Sequence, residues 1–292
     1  MVHQRRPLVS IMMPAFNAEA SIGLACASLV AQDVDDWECV IVDDGSSDGT
    51  FDLVSSLSDP RFRIIRHPKN LGRGVARQTA LEACRGKYLA MLDADDWWYP
   101  GKLREQLLVI EDNREIVVIS SGMAVMDDLG NLIATSKLSS AEGVSVGKWT
   151  RLRKTPVAFA PSLMRMEFAK SHTFDGALRR SEDFDFLVKV AFGKIWARIN
   201  RPLYAYKRVA SEDFNTIRLA YQYRRRALAK HYALDRLGVI RGIIESRMKE
   251  LAFAFANRLQ ASGKLLQKRY ALPSKAESER FLEAKRLVLE SN

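Results

Sequence analysis

Three carboxylates stand close together in the segment Asp93-Ala94-Asp95-Asp96. The mostly apolar run Lys87 to Leu92 before them predicts a buried strand, and Pro100 downstream is placed to open a helix. Adjacent carboxylates repel one another unless a cation lies between them, and Mg²⁺ or Mn²⁺ binds one or two carboxylates together with phosphate oxygens. Because residues i and i+2 of an extended segment point the same way, we expect Asp93 and Asp95 to share one ion or its ligand. An Asp-rich turn without a ligand is the alternative interpretation.

Strand-like and helix-like segments alternate along the chain up to these carboxylates. The predicted strands are 8–13, 38–42, 61–66 and 87–92, and the predicted helices between them are 20–31, 50–57 and 75–84. This alternation predicts a parallel sheet with right-handed crossovers, an α/β fold. Ligands of such sheets bind beyond the carboxyl ends of the strands.

Polar residues follow each of the four predicted strands. Phe16 and Asn17 follow the first strand, and Asp43-Asp44 follows the second. Residues 70–73 follow the third strand and residues 93–96 the fourth. We therefore expect one edge of one sheet to collect all four clusters.

These clusters resemble the motifs of the family-2 glycosyltransferases, which have the GT-A fold. The motifs are, in chain order, Pro14 to Glu19, Val42 to Thr50, Gly72 to Leu81 and Leu92 to Asp96. The resemblance extends to about Asp183. It implies a Rossmann-like, mostly parallel sheet flanked by helices, and an inverting glycosyltransferase of the bacterial surface-polysaccharide type.

The resemblance also implies a nucleotide site at the first two strand ends. The implied nucleotide-binding residues are Pro14, Ala15, Phe16, Asn17, Glu19, Asp43, Asp44, Arg77, Asp93 and Ala94. Asp44 is expected to accept a hydrogen bond from the base, with Asp43 second, and Arg77 is expected to turn toward the nucleotide. A carboxylate that accepts from the imide N–H of uracil rejects bases that lack this donor, because a buried unpaired acceptor is costly. The resemblance therefore favours a UDP-linked sugar donor.

The metal implied by the resemblance is Mn²⁺ or Mg²⁺, bound by Asp95 with Asp93. Such an ion offsets the charge that develops on a nucleoside diphosphate as it leaves. No protonated side chain is then needed to expel that group.

The segment Phe174 to Val188 resembles the part of inverting family members that carries the catalytic base. By position Asp183 is that base and Glu182 its neighbour, and Asp185 is a second candidate. Two adjacent carboxylates in a cleft raise at least one pKa toward the range useful for a general base. The alternative is a helix N-terminus whose acidic residues suit the helix dipole.

Two segments between these motifs are less regular. Residues 125–131 predict a hairpin turn, since Asp-rich and Gly-Asn positions lie between apolar flanks. Lys137 to Thr155 predicts a loop over the site, in which Trp149 could contact a sugar ring.

Composition predicts an ordinary folded chain. Of its 292 residues 47% are hydrophobic and 27% charged, which fits a catalytic domain over 1–210 with a helical extension over 211–292. The three cysteines lack metal-ligand spacing and predict buried thiols in a reducing compartment. Met1 to Pro7 contains no apolar signal segment, and no apolar run reaches about 18 residues. These features predict a cytoplasmic protein.

The positive charge is concentrated in the C-terminal residues. Residues 211–292 hold 17 Lys and Arg against 9 Asp and Glu, a net charge of +8 out of +10 for the chain. Apolar residues at spacings of three and four predict an amphipathic helix there: Ile240, Ile244, Met248, Leu251, Phe255 and Leu259. We expect most of this stripe to pack on the catalytic domain. The other hypothesis is a peripheral contact with the anionic inner face of the plasma membrane.

Together these patterns favour transfer of a sugar to a hydroxyl of a glycan or a lipid-linked oligosaccharide. A sugar nucleotidyltransferase is an alternative, but it would need a Gly-rich phosphate loop after the first strand, and Pro14 to Glu19 contains no glycine. A non-catalytic nucleotide-binding relative is a further alternative, although Asp95 and Asp183 are both present. No recognition module for nucleic acid is apparent, so we expect no nucleic-acid partner.

Overall fold

The computed structural model describes residues 6–136, 143–208, 214–258 and 270–291. Its first half alternates strands and helices. These elements are β1 (Val9–Ala15), α1 (Ile22–Val30), β2 (Trp37–Asp43), α2 (Thr50–Ser55), β3 (Phe62–Arg66), α3 (Arg73–Ala83), β4 (Tyr88–Met91), β5 (Trp97–Trp98) and α4 (Lys102–Asp112). The predicted strands and helices of this half are confirmed, and each boundary lies within two residues of its prediction.

The second half is more mixed. Its elements are β6 (Ile116–Met126), β7 (Leu132–Ser136), β8 (Val144–Lys148), β9 (Leu163–Arg165), α5 (Met166–Lys170), α6 (Glu182–Ala191), β10 (Ile195–Lys207), α7 (Phe214–Lys230), α8 (Arg236–Arg258), β11 (Tyr270–Ala271) and α9 (Lys275–Glu290).

One mixed sheet joins the strands of the described residues. Its order is β11-β7-β6-β9-β4-β1-β2-β3, and β10 pairs with β5, β6 and β8. The neighbours β4, β1, β2 and β3 are parallel to one another. Their carboxyl ends therefore meet at one edge, as the alternation of strands and helices predicts. The antiparallel strand β9 separates β4 from β6.

Both faces of the sheet are buried. Along β1, Ile11 and Met13 belong to one apolar cluster while Met12, between them, belongs to the other. Alternation along a strand places these clusters on opposite faces. Helices α1 and α4 cover the first face, and α3 and α6 cover the second. A sheet enclosed on both faces leaves its edges and strand ends for ligands.

Two predictions about the irregular segments have different outcomes. The hairpin turn is confirmed, because Asp127 Oδ1 accepts hydrogen bonds from the backbone N–H groups of Leu129 and Asn131 between β6 and β7. The loop over residues 137–155 is wrong at 144–148, which form β8 beside β10. Trp149 is buried against Phe192 and is not available to a sugar. Residues 137–142 lie outside the described ranges.

The C-terminal residues divide into two parts. In α9, Phe281 packs on Trp97 and Tyr99, so this helix contributes to the same core as β1. Helix α8 packs on α7, but the predicted stripe from Ile240 to Phe255 faces solvent. The expectation that most of the stripe packs on the catalytic domain is therefore wrong, because the inner face of α8 is formed by other residues. Leu259 lies outside the described ranges.

The three cysteines, Cys26, Cys39 and Cys84, are buried free thiols. Burial raises the pKa of the Cys26 and Cys84 thiols to about 12, so both are protonated and unreactive at neutral pH. Among the helices described, none is long and apolar enough to cross a bilayer.

Candidate active site

The loops after β1 and β2 are fastened to each other. Asn17, whose φ of 48° is left-handed, accepts a hydrogen bond at Oδ1 from the Ser47 N–H at 2.9 Å. Its own N–H donates to Ser46 Oγ at 2.9 Å. Glu19 Oε2 accepts from the Gly49 N–H at 3.0 Å. The side chains of Asn17 and Glu19, both predicted to bind nucleotide, therefore hold the two loops in place.

Asp44 fixes the loop that follows β3. Its Oδ1 lies 2.7 Å from His67 Nδ1 and accepts from the Leu71 N–H at 3.0 Å, while Oδ2 accepts from the Gly72 N–H at 2.8 Å. The carboxylate is buried. Gly72 has a φ of 96°, a conformation that glycine adopts without strain. Both oxygens of Asp44 are thus engaged within the protein, which leaves this residue poorly suited to bind a base.

Asp43 has one carboxylate oxygen that makes an ion pair but no hydrogen bond. Its Oδ1 accepts from the Ser46 N–H at 3.1 Å, whereas its buried Oδ2 makes no hydrogen bond among the described residues and lies 3.2 Å from Arg66 Nε. Arg66 and His67 line a shallow groove of about 340 Å³ beside this carboxylate. Asp43, the second candidate to bind the nucleotide base, thus has one oxygen engaged only by the half-exposed Arg66, whereas both oxygens of Asp44 accept hydrogen bonds within the protein.

The first strand end presents one exposed aromatic side chain. Phe16 is 48% exposed. Of the other residues predicted to bind nucleotide, Ala15 and Ala94 are buried and Pro14 is partly buried. The backbone of these three residues shapes the edge. Phe16 offers a ring face on which a ligand could stack.

The four residues Asp93 to Asp96 form a turn, closed by a hydrogen bond from the Asp96 N–H to the Asp93 carbonyl at 3.0 Å. The prediction of an extended segment is wrong, because β4 ends at Met91. The argument that Asp93 and Asp95 point the same way therefore does not hold. Asp93 is partly buried and paired with Arg77, whereas Asp95 is exposed.

Asp96 supports the turn from within. It is buried, and its two oxygens accept from the Tyr204 hydroxyl and from the Lys207 N–H, each at 2.7 Å. Burial and the neighbouring charges of Asp95 and Asp93 raise the pKa of Asp96 well above its usual range. Both partners belong to β10, more than 100 residues away in sequence, so no local signal could have identified them.

Asp95 is the carboxylate of this turn without a partner. It makes no hydrogen bond or ion pair to another side chain in the described part of the chain. Surrounding protein removes part of its water and the Asp93 carboxylate repels its charge, and both effects raise the pKa of Asp95. An exposed carboxylate with excess negative charge beside it fits a divalent cation. The described ranges contain no cluster of three or more His, Cys, Asp or Glu for a metal, so phosphate oxygens would have to complete its coordination.

Arg77 joins the turn to helix α6. Its Nη2 lies 2.8 Å from Asp93 Oδ1 and its Nη1 lies 2.8 Å from Glu182 Oε1. The guanidinium is buried over the ring of Phe159. Burial favours the neutral form, but the carboxylates of Asp93 and Glu182 more than offset this and raise the pKa of Arg77. Within the protein Arg77 bridges two carboxylates, and its contact with nucleotide stays a prediction.

The two residues predicted for the base differ in exposure. Glu182 is completely buried, and its Oε1 accepts from both Arg77 and Arg73. Asp183 is only partly buried, and its Oδ1 accepts from the Phe184 N–H at 2.7 Å. Asp183 therefore has a free oxygen at the surface of the site, while Glu182 is held within the protein.

Asp185, the second candidate for the base, anchors α6 to α7. Its buried carboxylate lies 2.7 Å from Lys189 Nζ, 3.0 Å from Lys230 Nζ and 2.9 Å from His231 Nε2. Burial alone would raise the pKa of Asp185, but hydrogen bonds from these three residues hold it well below the usual range. A carboxylate so strongly stabilised as an anion is a weak base, which disfavours Asp185.

The Arg77 bridge gives a stability prediction. Arg77→Met leaves Asp93 and Glu182 without their shared cation, and we expect the free energy of unfolding to fall by about 3 kcal/mol or more. Arg73→Met is the matched control, because the half-exposed Arg73 contacts Glu182 alone and should cost less than about 1 kcal/mol. Urea unfolding at neutral pH measures both values. Equal losses for the two variants would contradict the bridge.

Comparisons with known proteins identify the family and the fold of this chain. Residues 10–171 match the family described as Glycosyl transferase family 2. An uncharacterized glycosyltransferase of Methanocaldococcus jannaschii is 31% identical over 189 residues, which cover 63% of this chain and 64% of that protein. The glucosyltransferase WfgD of Escherichia coli is 39% identical over 36% of this chain and 42% of its own length. The chain thus spans less than two thirds of the length of these relatives.

Among solved structures, S. aureus TarS 1-349 in complex with UDP-GlcNAc matches with a TM-score of 0.66 and 18% identity. The match covers 97% of this chain and 81% of that one, and establishes the GT-A fold. With more than half of its residues matched by the family, the chain belongs to glycosyl transferase family 2.

Proposed function

We propose that this chain is an inverting, metal-dependent glycosyltransferase that moves a sugar from a UDP-linked donor to a hydroxyl of a glycan or lipid-linked acceptor. One observation carries the proposal. Asp43, Asp95 and Asp183 each keep a carboxylate oxygen that makes no hydrogen bond in the described residues, and they belong to the strand-end edge and to the helix that Arg77 ties to it. Membership of glycosyl transferase family 2 supports this use of the site.

The donor proposal rests on Asp43 and its surroundings. Its Oδ2 is buried and ion paired with Arg66, and it would accept a hydrogen bond from the imide N–H of uracil once the half-exposed Arg66 side chain moves aside, beside the groove that Arg66 and His67 line. Phe16 can stack on the base or the ribose. The name of WfgD specifies a UDP-Glc donor, and TarS was solved with UDP-GlcNAc, which supports a uridine diphosphate here. The identity of the sugar is left open.

The proposed metal is Mn²⁺ or Mg²⁺. Asp95 would hold it through its exposed carboxylate, and Asp93 would contribute the oxygen that Arg77 does not occupy. When bound, the ion supplies positive charge to the diphosphate of the leaving group. Arg77 already neutralises part of Asp93, so Asp95 is the principal ligand.

Asp183 is the proposed general base. Its carboxylate takes the proton of the acceptor hydroxyl while that oxygen attacks the anomeric carbon from the face opposite UDP. The new carbon–oxygen bond forms as the bond to the diphosphate breaks, and UDP leaves with the electron pair. Glu182 does not take the proton, because it is completely buried and Arg73 and Arg77 hold it as an anion through Oε1. It positions Asp183 through the helix start that they share.

The acceptor proposal draws on the relatives and on charge. WfgD and WfaP are named for a diphosphoundecaprenol-linked acceptor. The net charge of +8 in residues 211–292 suits a negatively charged surface. We therefore propose a cytoplasmic enzyme that attaches peripherally to the inner face of the plasma membrane and acts in surface-polysaccharide synthesis.

Asp95→Ala tests the metal. The variant should lose activity and the Mn²⁺-dependent part of UDP binding, because no other exposed carboxylate of the turn replaces it. Titration calorimetry with UDP, with and without Mn²⁺, measures this binding independently of turnover. Asp112→Ala, an exposed carboxylate at the end of α4, is the control and should behave as wild type. Full wild-type activity in EDTA would refute metal dependence.

Asp183→Asn tests the base. We expect kcat to fall by about 10²-fold or more with little change in the Kd for the donor, since only proton transfer is lost. Asp185→Asn should instead lower stability, because it removes the anion that Lys189, Lys230 and His231 surround. A folded Asp183→Asn variant with near-normal kcat, beside an inactive Asp185→Asn variant, would move the base to Asp185.

A further inference from the structure

Helix α8 is apolar on two opposite faces. Its inner face, which includes Val239 and Phe253, is buried. On the outer face six large apolar side chains are between 42% and 65% exposed, and we call them the outer stripe: Leu237, Ile240, Ile244, Met248, Leu251 and Phe255. Their spacing of three or four residues puts them in one row about 27 Å long. Single exposed apolar residues are ordinary, but a continuous row marks a surface that contacts something else.

Positive charge borders the outer stripe. By helical position Arg236 and Arg247 lie on one side of the row and Arg241 on the other, and all three are exposed. The two acidic residues of α8 lie elsewhere and are paired. Glu245 contacts Arg153 and Lys249. Glu250 contacts Arg225 and also Arg247, so the charge of Arg247 is partly neutralised. The surface around the stripe is therefore apolar at its centre and cationic at its margins.

Helix α8 is fastened to the part of the protein that carries Asp183. Asp235, just before α8, accepts from the Leu152 N–H at 2.9 Å. Gly242 lies so close to Leu228 of α7 that a Cβ there would approach it to 3.1 Å. Helix α7 in turn holds α6, since Arg224 covers the ring of Phe184 next to Asp183. The outer stripe thus has a fixed relation to the candidate base.

We propose that the outer stripe is a membrane-docking face that lies in the headgroup region of an anionic bilayer. Its apolar row would enter the acyl boundary while Arg236 and Arg241, one on each side of the row, contact lipid phosphates. A second copy of the chain is the less suitable occupant, because a two-fold interface on this face would bring the arginine margins of both copies together. The proposal deepens the proposed function, since docking would orient Asp183 toward a lipid-linked acceptor.

Sedimentation of the full chain with vesicles tests the proposal. The vesicles are phosphatidylcholine alone, or phosphatidylcholine with 30% phosphatidylglycerol, a composition on the order of natural anionic surfaces. We expect binding to the anionic vesicles, weakened at high salt because screening shortens the reach of the arginines. The combined variant Ile244→Ser, Met248→Ser and Leu251→Ser should bind about tenfold or more weakly, since three buried apolar contacts are lost.

Control variants on α9 distinguish binding through the outer stripe from nonspecific adsorption of exposed residues to the vesicles. Leu282→Ser with Leu289→Ser changes apolar residues of α9 that are 65% and 57% exposed, and should bind as wild type. Arg241→Glu should weaken binding by about fivefold or more, whereas Lys275→Glu at the start of α9 should have less effect. Circular dichroism checks that each variant is folded. Arg241→Glu keeps the test valid even if the triple variant does not fold.

Three outcomes would overturn the proposal. The first is equal binding of wild type and stripe variants, and the second is equal binding to neutral and anionic vesicles. The third is a wild-type dimer in lipid-free sedimentation equilibrium that the stripe variants convert to monomer, which would make the face an interface between copies. Binding of UDP with Mn²⁺ is measured on the same samples. Its absence in wild type would refute the proposed function, independently of vesicle binding.

Discussion

The arrangement of this molecule depends on one buried cation. The guanidinium of Arg77 contacts Asp93, 16 residues away in sequence, and Glu182, 105 residues away. Without this charge Asp93 would lose its ion pair, and the completely buried Glu182 would keep only the half-exposed Arg73. Removing one partner of a buried ion pair costs about 3–5 kcal/mol. The ion pairs therefore force helix α6 to begin beside the turn that ends β4. The neighbour of Glu182, Asp183, is placed at the same edge as a consequence.

Most polar groups at this edge serve the scaffold, and only a few are left for a ligand. Asn17, Glu19 and Asp44 have their oxygens engaged by backbone N–H groups of adjacent loops. Asp96 is bound by β10. This rigidity is useful for catalysis, since groups held before the substrate arrives need not be reorganised during the reaction. Asp43, Asp95 and Asp183 each keep an oxygen that makes no hydrogen bond in the described residues, and these are the groups proposed above for the donor, the metal and the acceptor hydroxyl.

The sequence predicts the fold and the location of the site, because the alternation of strands and helices is a local signal and parallel strands share a carboxyl edge. It does not decide between Asp43 and Asp44, since the choice depends on His67 and on the loop after β3, which pack there only in the folded chain. The position of His67 directly after a predicted strand indicates only that this side chain lies near the strand-end edge, where it could pair with one of the two carboxylates. The sequence also does not show that the α8 stripe faces solvent, because periodicity identifies an apolar face of a helix but not what packs on it.

The configuration of the product most directly tests the account that a single displacement occurs at this edge. Wild-type protein with a panel of UDP-linked sugars of known anomer and a hydroxyl acceptor would give a glycoside whose anomeric configuration is read from its proton coupling by NMR. A single attack on the face opposite UDP, assisted by Asp183, predicts a product anomer opposite to that of the donor. A product that retains the donor configuration would contradict the account.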